Sequence, residues 1–192
     1  MTPAVTPEAE LRERLCRAGR RLHGAGLVAG RAGNLSARLG EDRVLVTPRG
    51  VRKDRLRPGD LVVVDLPASG GSGRASSELP AHRACYRADP GVGAVLHAHA
   101  PTLIAAGIRG LDIGATLPEV EEATGPIVTV PFAPSGSEAL ARAVGEAVAA
   151  GATVVLLVRH GVIATGPDLE AAFDRLELAE LSARACLLAG ER

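Results

Sequence analysis

At 192 residues, 46% of them apolar, the chain fits one globular domain with a substantial core, and positions 1–192 read as that single domain. Its 22 basic and 22 acidic residues cancel, which excludes a whole-molecule field for holding a nucleic-acid backbone or an anionic membrane. The 3 cysteines form no CxxC pattern, the N-terminus lacks an apolar signal core and no run approaches the roughly 18 apolar residues of a membrane helix, so a soluble protein of the reducing cytoplasm is expected.

In chain order, Leu11, Leu15, Ala18 and Leu22 recur at helical spacing, and this amphipathic helix is expected to close at Gly24 or Gly26. NLSARLGEDRVLVTP gives two alternating runs around Gly40-Glu41-Asp42, a hairpin pattern, and Leu61 to Leu66 reads as a further strand. SGGSGRA (69–75) reads as a mobile surface loop leading to Ser76-Ser77-Glu78, where Ser76 or Ser77 can cap a helix through Ala88, ended by Asp89-Pro90-Gly91. VGAVLHAHA has the content of a buried strand, and Pro101 permits a helix over about Thr102 to Gly107. Ile127 to Pro131 reads as a short strand, and Ser135 or Ser137 can cap an Ala-rich helix ending near Ala150, with Gly151 suited to its C-cap. ATVVLLVRHGVIATG reads as a buried strand ending at His160, a turn at Gly161 and a second strand, after which Asp168 caps a long final helix.

In a strand, residues two apart share a face, so His97 and His99 present two imidazoles side by side, flanked by small alanines. Zinc takes imidazole nitrogen and prefers four donors, which makes His160, ending another buried strand, the natural third protein ligand; a structural histidine at a strand end is the competing reading. Glu78 sits where a glycine-rich loop meets a helix N-terminus. It either supports the helix dipole or faces the metal as a general base toward carbon next to a coordinated carbonyl. Backbone amides and hydroxyls at Gly33, Asn34, Gly50, Ser76 and Ser77 suit a phosphate, although each is also an ordinary turn or cap residue. Lys53 is the only lysine and lies in the charged stretch VRKDRL, which argues against a Schiff-base mechanism.

Taken in order, GRAGNLSAR, VLVTPRG, SSELPAH, GAVLHAHAP and RHGVIATG resemble the class II aldolase/adducin-like family over nearly the whole chain, and its sugar-phosphate aldolases in particular. The resemblance implies an α/β (α+β) fold, a central mainly antiparallel sheet flanked by helices, in a homotetramer with active sites between subunits. It implies zinc held by His97, His99 and His160, Glu78 as the catalytic acid/base, and a phosphate site at Gly33, Asn34, Gly50, Ser76 and Ser77, with Arg49 in the same loop. The implied reaction is reversible cleavage of a short ketose 1-phosphate, of the L-fuculose 1-phosphate kind, to dihydroxyacetone phosphate and an aldehyde through a metal-stabilised enediolate.

Three features depart from that pattern. Arg49 stands where the family more often has a small hydroxyl residue, either strengthening anion binding or selecting another substrate. LPEVEEATG contains no tyrosine, whereas the aldolases protonate the aldehyde oxygen with a neighbouring subunit's tyrosine; Tyr86, the only tyrosine, reads as packed. The sequence stops soon after the last helix, so a C-terminal tail closing over substrate is not expected. Within the family, a methylthioribulose-phosphate type dehydratase is the main alternative, and Glu78 argues against the epimerases, which typically carry Asp there. A non-catalytic adducin-like interaction module and a zinc hydrolase are the readings from other classes.

Overall fold

The computed structural model describes residues 7–68, 73–114 and 116–190, so of the surface loop expected over 69–75, residues 69–72 lie outside the described residues, while Ala75 is buried and forms an antiparallel bridge with Pro48. Helix α1 (Glu8–Gly24) forms on the predicted periodicity and buries Leu11, Leu15 and Leu22 along one stripe. The expected hairpin is β1 (Asn34–Arg38) paired antiparallel with β2 (Arg43–Val46), and β2 pairs in turn with β3 (Val62–Asp65). After α2 (Leu79–Ala88), strand β4 (Ala94–Ala98) runs antiparallel to β1 with Asn34 opposite His97.

Helix α3 (Pro101–Arg109) is followed by α4 (Pro118–Thr124), β5 (Ile127–Val130) and α5 (Glu138–Ala149). Strands β6 (Val154–Leu157) and β7 (Gly161–Gly166) and helix α6 (Leu169–Ala189) complete the described chain. The seven strands form one sheet in the order β3-β2-β1-β4-β7-β6-β5, antiparallel throughout except for the parallel β5–β6 pair, as the mainly antiparallel expectation requires.

Alternation along the strands divides the core in two. On one side Leu96, Leu156, Val162 and Ala164 pack with α1, α3 and α6 through Leu15, Leu103 and Phe173. On the other, Val95, Val155 and Ile163 pack with α2 and α5 through Leu79, Cys85, Leu140 and Val144. No disulfide joins Cys16, Cys85 and Cys186, which are all buried, and no helix among the described residues is long and apolar enough to cross a membrane.

Several local expectations are corrected. Strand β6 ends at Leu157 rather than at His160; Val158, Arg159 and His160 form the turn, with Arg159 in the left-handed region at φ 59° and the His160 amide donating to the Leu157 carbonyl. Glu78, not Ser76 or Ser77, is the N-cap of α2, and no side chain caps that helix. Of the two serines expected to cap α5, Ser137 does so, accepting from the Leu140 amide, whereas Ala150 rather than Gly151 is the C-cap, with Gly151 just beyond it at φ +96°. Lys53 is 2% exposed, tucked into a short 3₁₀ turn (Lys53–Arg55), so its setting is far more apolar than the flanking charges suggested.

Candidate metal and acid–base centre

The end of the sheet where β4 finishes and β1 and β7 begin collects the side chains expected to be functional. His97 occupies β4, and His99 follows it, its amide held by the Leu27 carbonyl. The β6–β7 turn delivers His160 from the other side. The three rings stand in T-shaped contact, with centroids 4.9 Å apart for His97–His99, 4.9 Å for His97–His160 and 5.3 Å for His99–His160. One ring nitrogen from each can be chosen so that all lie within 4.8 Å of one another.

Glycines make this approach possible. A Cβ on Gly161 would stand 2.3 Å from the Ala98 carbonyl oxygen and 3.1 and 3.2 Å from carbons of the His97 and His99 rings. Gly33, at φ +72°, leaves no room for a Cβ between Val28 and the His97 carbonyl oxygen.

Glu78 enters the centre of this cluster. Its Oε2 is 2.9 Å from His97 Nε2 and accepts from Asn34 Nδ2 at 2.8 Å; its Oε1 is 3.1 Å from His160 Nε2 and accepts from Ser135 Oγ at 2.9 Å. A carboxylate serving only the helix dipole would turn back to the α2 amides, and this one does not. Burial pushes its pKa up, but hydrogen bonds from His160, His97 and Asn34 outweigh that and hold the carboxyl well below the usual range. Burial, reinforced by repulsion from His97 and His160, pushes His99 down to about 4, so its imidazole is neutral with a lone pair to offer.

The donor set fits a divalent cation. His97 Nδ1 lies 3.0 Å from the Val162 carbonyl oxygen, which can only accept, so Nδ1 carries a proton; Nε2 donates to Glu78 when the ring is charged and is the lone pair open to a metal when the ring is neutral. His97 Nε2 and His99 Nε2 are 3.1 Å apart, near the roughly 3.3 Å expected between two nitrogens of a tetrahedral zinc site.

Around this centre lies a cavity of about 320 Å³ that brings together every residue expected at a phosphate site: Gly33, Asn34, Arg49, Gly50, Ser76 and Ser77 meet Glu78, His99 and His160 there. The side chain of Asn34 is engaged with Glu78 and His82. Ser76 Oγ accepts from the Glu78 amide, which fixes the turn that aims the carboxylate. Arg31, Arg49 and Lys53 line the cavity against the single carboxylate of Glu78, a surplus suited to an anionic substrate. Lys53 Nζ donates to the Arg31 and Val51 carbonyls, and burial lowers its pKa to about 8.

Ser135, Lys53 and His82 join the site in the fold without having been singled out for it from the sequence. His82 carries a readable signal, four residues after Glu78 on one helix face; Ser135 carries none that separates it from the capping Ser137.

Residues 13–187 match the model of the Class II Aldolase and Adducin N-terminal domain. The chain is 38% identical over 177 residues to a 5-methylthioribulose-1-phosphate/5-deoxyribulose-1-phosphate aldolase of Rhodospirillum rubrum, covering 90% of this chain and 78% of that protein. It is 34% identical over 179 residues to a 3-oxo-tetronate 4-phosphate decarboxylase of Haemophilus influenzae, covering 90% and 85%. Among solved structures it superposes on YgbL of Klebsiella pneumoniae with a TM-score of 0.90 at 33% identity, covering 97% and 93% of the two chains. It superposes on an L-fuculose-1-phosphate aldolase of Thermus thermophilus with a TM-score of 0.81 at 31% identity, covering 94% of each. With its histidine cluster, sheet order and sequence all in agreement, the chain belongs to the class II aldolase and adducin N-terminal domain family.

Proposed function

We propose that this protein is a zinc-dependent carbon–carbon lyase that cleaves a short phosphorylated ketose, or forms it from dihydroxyacetone phosphate and an aldehyde, acting as a homotetramer in the cytoplasm. The observation that carries this reading is the Glu78 carboxylate placed among three convergent imidazoles at the floor of a cationic cavity.

His97, His99 and His160 would hold the metal, which supplies Lewis-acid stabilisation of negative charge developing on the substrate carbonyl oxygen. Arg49, the amides around Gly33 and Gly50, and Ser76 and Ser77 take the phosphate and thereby place the carbonyl carbon beside Glu78. In the synthetic direction Glu78 removes a proton from the carbon next to the carbonyl, and in cleavage it returns one. The interaction-module reading leaves the inward aim of Glu78 without a purpose.

One residue favours a second reaction at the same centre. Retro-aldol cleavage needs a group to accept the proton of the substrate hydroxyl. Tyr86 is the chain's only tyrosine and is buried with its hydroxyl on Ser36, so neither it nor its copy in another subunit is available. Decarboxylation of a 3-oxo acid phosphate has no such proton to remove: the bond to the carboxylate breaks, its electron pair moves toward the 3-oxo group as carbon dioxide leaves, and the carbon left behind takes a proton that Glu78 draws from solvent.

Purified protein loaded with zinc and given ketose 1-phosphates and 3-oxo acid 4-phosphates in parallel separates these reactions. Aldehyde release establishes the aldolase, carbon dioxide release the decarboxylase, and water loss from a methylthioribulose-type ester the dehydratase. A protein that binds no zinc and exchanges no substrate proton is not a lyase of this kind.

A further inference from the structure

Behind Glu78 a string of buried polar side chains runs into the α2 side of the sheet. Asn34 Nδ2 donates to Glu78 Oε2 at 2.8 Å; His82 Nε2 lies 2.5 Å from Asn34 Oδ1; Ser36 Oγ lies 2.6 Å from His82 Nδ1; and Tyr86 Oη lies 2.8 Å from Ser36 Oγ. All four residues behind the carboxylate are buried, so water cannot substitute for any link.

The chemistry of each group fixes the direction of the whole string. Because the Asn34 amide nitrogen faces Glu78, its carbonyl oxygen faces His82 and can only accept, so His82 Nε2 carries the proton. Burial, reinforced by the charge of His97, lowers the His82 pKa to about 3, so the ring is neutral and Nδ1 is an acceptor. The Ser36 hydroxyl therefore donates to His82 and accepts from Tyr86. Every donor points toward the carboxylate.

The two oxygens of Glu78 are consequently unequal. Oε2 meets an amide NH₂, which can only donate and so opposes a proton on that oxygen. Oε1 meets the Ser135 hydroxyl, which donates when Oε1 is bare and accepts when Oε1 is protonated; the imidazoles of His97 on Oε2 and His160 on Oε1 stand one on each oxygen and do not distinguish them.

We infer that Tyr86, Ser36, His82 and Asn34 form a positioning relay that locks Glu78 through Oε2 and assigns substrate proton transfer to Oε1, with Ser135 as its reversible partner. In that step the substrate C–H bond breaks, its electron pair moves toward the carbonyl, and the proton lands on Oε1; the reverse step returns it. None of the four relay residues touches substrate through this string. The inference rests on the proton-transfer role proposed for Glu78.

Two measurements test it. In protein with ¹⁵N-labelled histidine, assigned with His82→Gln, nuclear magnetic resonance is expected to show His82 as the neutral Nε2–H tautomer from pH 6 to 9. An Nδ1–H tautomer or a charged ring overturns the relay, whatever the enzyme's substrate. Zinc-loaded protein is then given dihydroxyacetone phosphate in D₂O. Loss of an orienting group of this kind costs about 10–100-fold, so kcat for proton wash-out should fall by that factor in His82→Leu, with KM and zinc content unchanged. His82→Gln keeps a donor where Nε2 stood and should recover to within about threefold of wild type. Equal kcat in His82→Leu and wild type, or equal loss in both variants, overturns the relay. Wild-type protein that exchanges no proton defeats the proposed function instead, and the tautomer then decides the relay alone.

Discussion

His97 Nε2 stands 2.9 Å from Oε2 of Glu78, and the other nitrogen of the same ring is tied to the Val162 carbonyl. The ring is thus oriented from behind by the sheet and faces at once toward His99, His160 and Glu78. In the proposed mechanism, metal binding and proton transfer meet at this one contact.

Replacing the carboxylate separates the two functions. Glu78→Gln keeps the shape and the contacts to Asn34 and Ser135 but removes the basic oxygen, and a positioned general base contributes about 10²–10⁴-fold. Zinc content should remain stoichiometric while proton wash-out from dihydroxyacetone phosphate falls by that factor. Unchanged wash-out would remove Glu78 from the mechanism.

His97→Ala removes one of the three convergent nitrogens together with its anchor on Val162. In wild type, zinc at about 1,000 times its Kd adds about 4 kcal/mol to the folded state, which at roughly 2–4 °C per kcal/mol for a domain of this size raises Tm by about 8–16 °C. His97→Ala should lose most of that rise in thermal melts with and without chelator. A variant that keeps the full zinc-dependent rise shows that the metal binds elsewhere.

The spacing of His97 and His99 and the place of Glu78 before a helix marked them as candidates, each with a structural alternative, and only the family resemblance gave them and His160 their expected roles. What escaped depends on three-dimensional choices between equivalent residues. Ser135 and Ser137 offer the same hydroxyl before α5, yet Ser137 takes the Leu140 amide and Ser135 takes Glu78. Lys53 was hidden by its neighbours. Arg52 and Asp54 pair with each other at 3.0 Å while the lysine between them turns inward, so local charge misreported its burial. The longer helices and the buried strands followed from their periodicity, but α4, begun by Pro118 in an acidic stretch of seven residues, gave no periodic signal long enough to read.

Gly161 packs against the histidines proposed to hold the metal. A methyl there meets the Ala98 carbonyl oxygen at 2.3 Å and presses on both the His97 and His99 rings, and overpacking of this kind costs about 1–3 kcal/mol. Gly161→Ala should lower stability by that amount and also weaken zinc binding, measured by competition with a chromogenic chelator. Gly59→Ala, with nothing within 4 Å of the added methyl, is the control that should do neither. Stoichiometric, wild-type zinc affinity in Gly161→Ala would show that the two ligands tolerate displacement.

Lys53 sets a pH dependence of stability with a definite sign. In the unfolded chain its amine holds a proton up to about 10.5, whereas in the fold burial lowers that to about 8. Between these values the unfolded chain binds more protons, so raising the pH favours folding, and below about 8 the cost of the buried charge is constant. Lys53→Met removes this titration while leaving the other ionisable groups in place, so the difference in unfolding free energy between wild type and variant isolates it. That difference should shift toward wild type as pH rises from 7.5 to 10.5, by at most about 3 kcal/mol, since each pKa unit is worth about 1.4 kcal/mol. The two carbonyls that accept from Nζ, of Arg31 and Val51, lose their donor in the variant at every pH, which offsets the curve without changing its slope. A flat difference across the window means that water reaches the ammonium and that the cavity's third cation is solvated rather than buried.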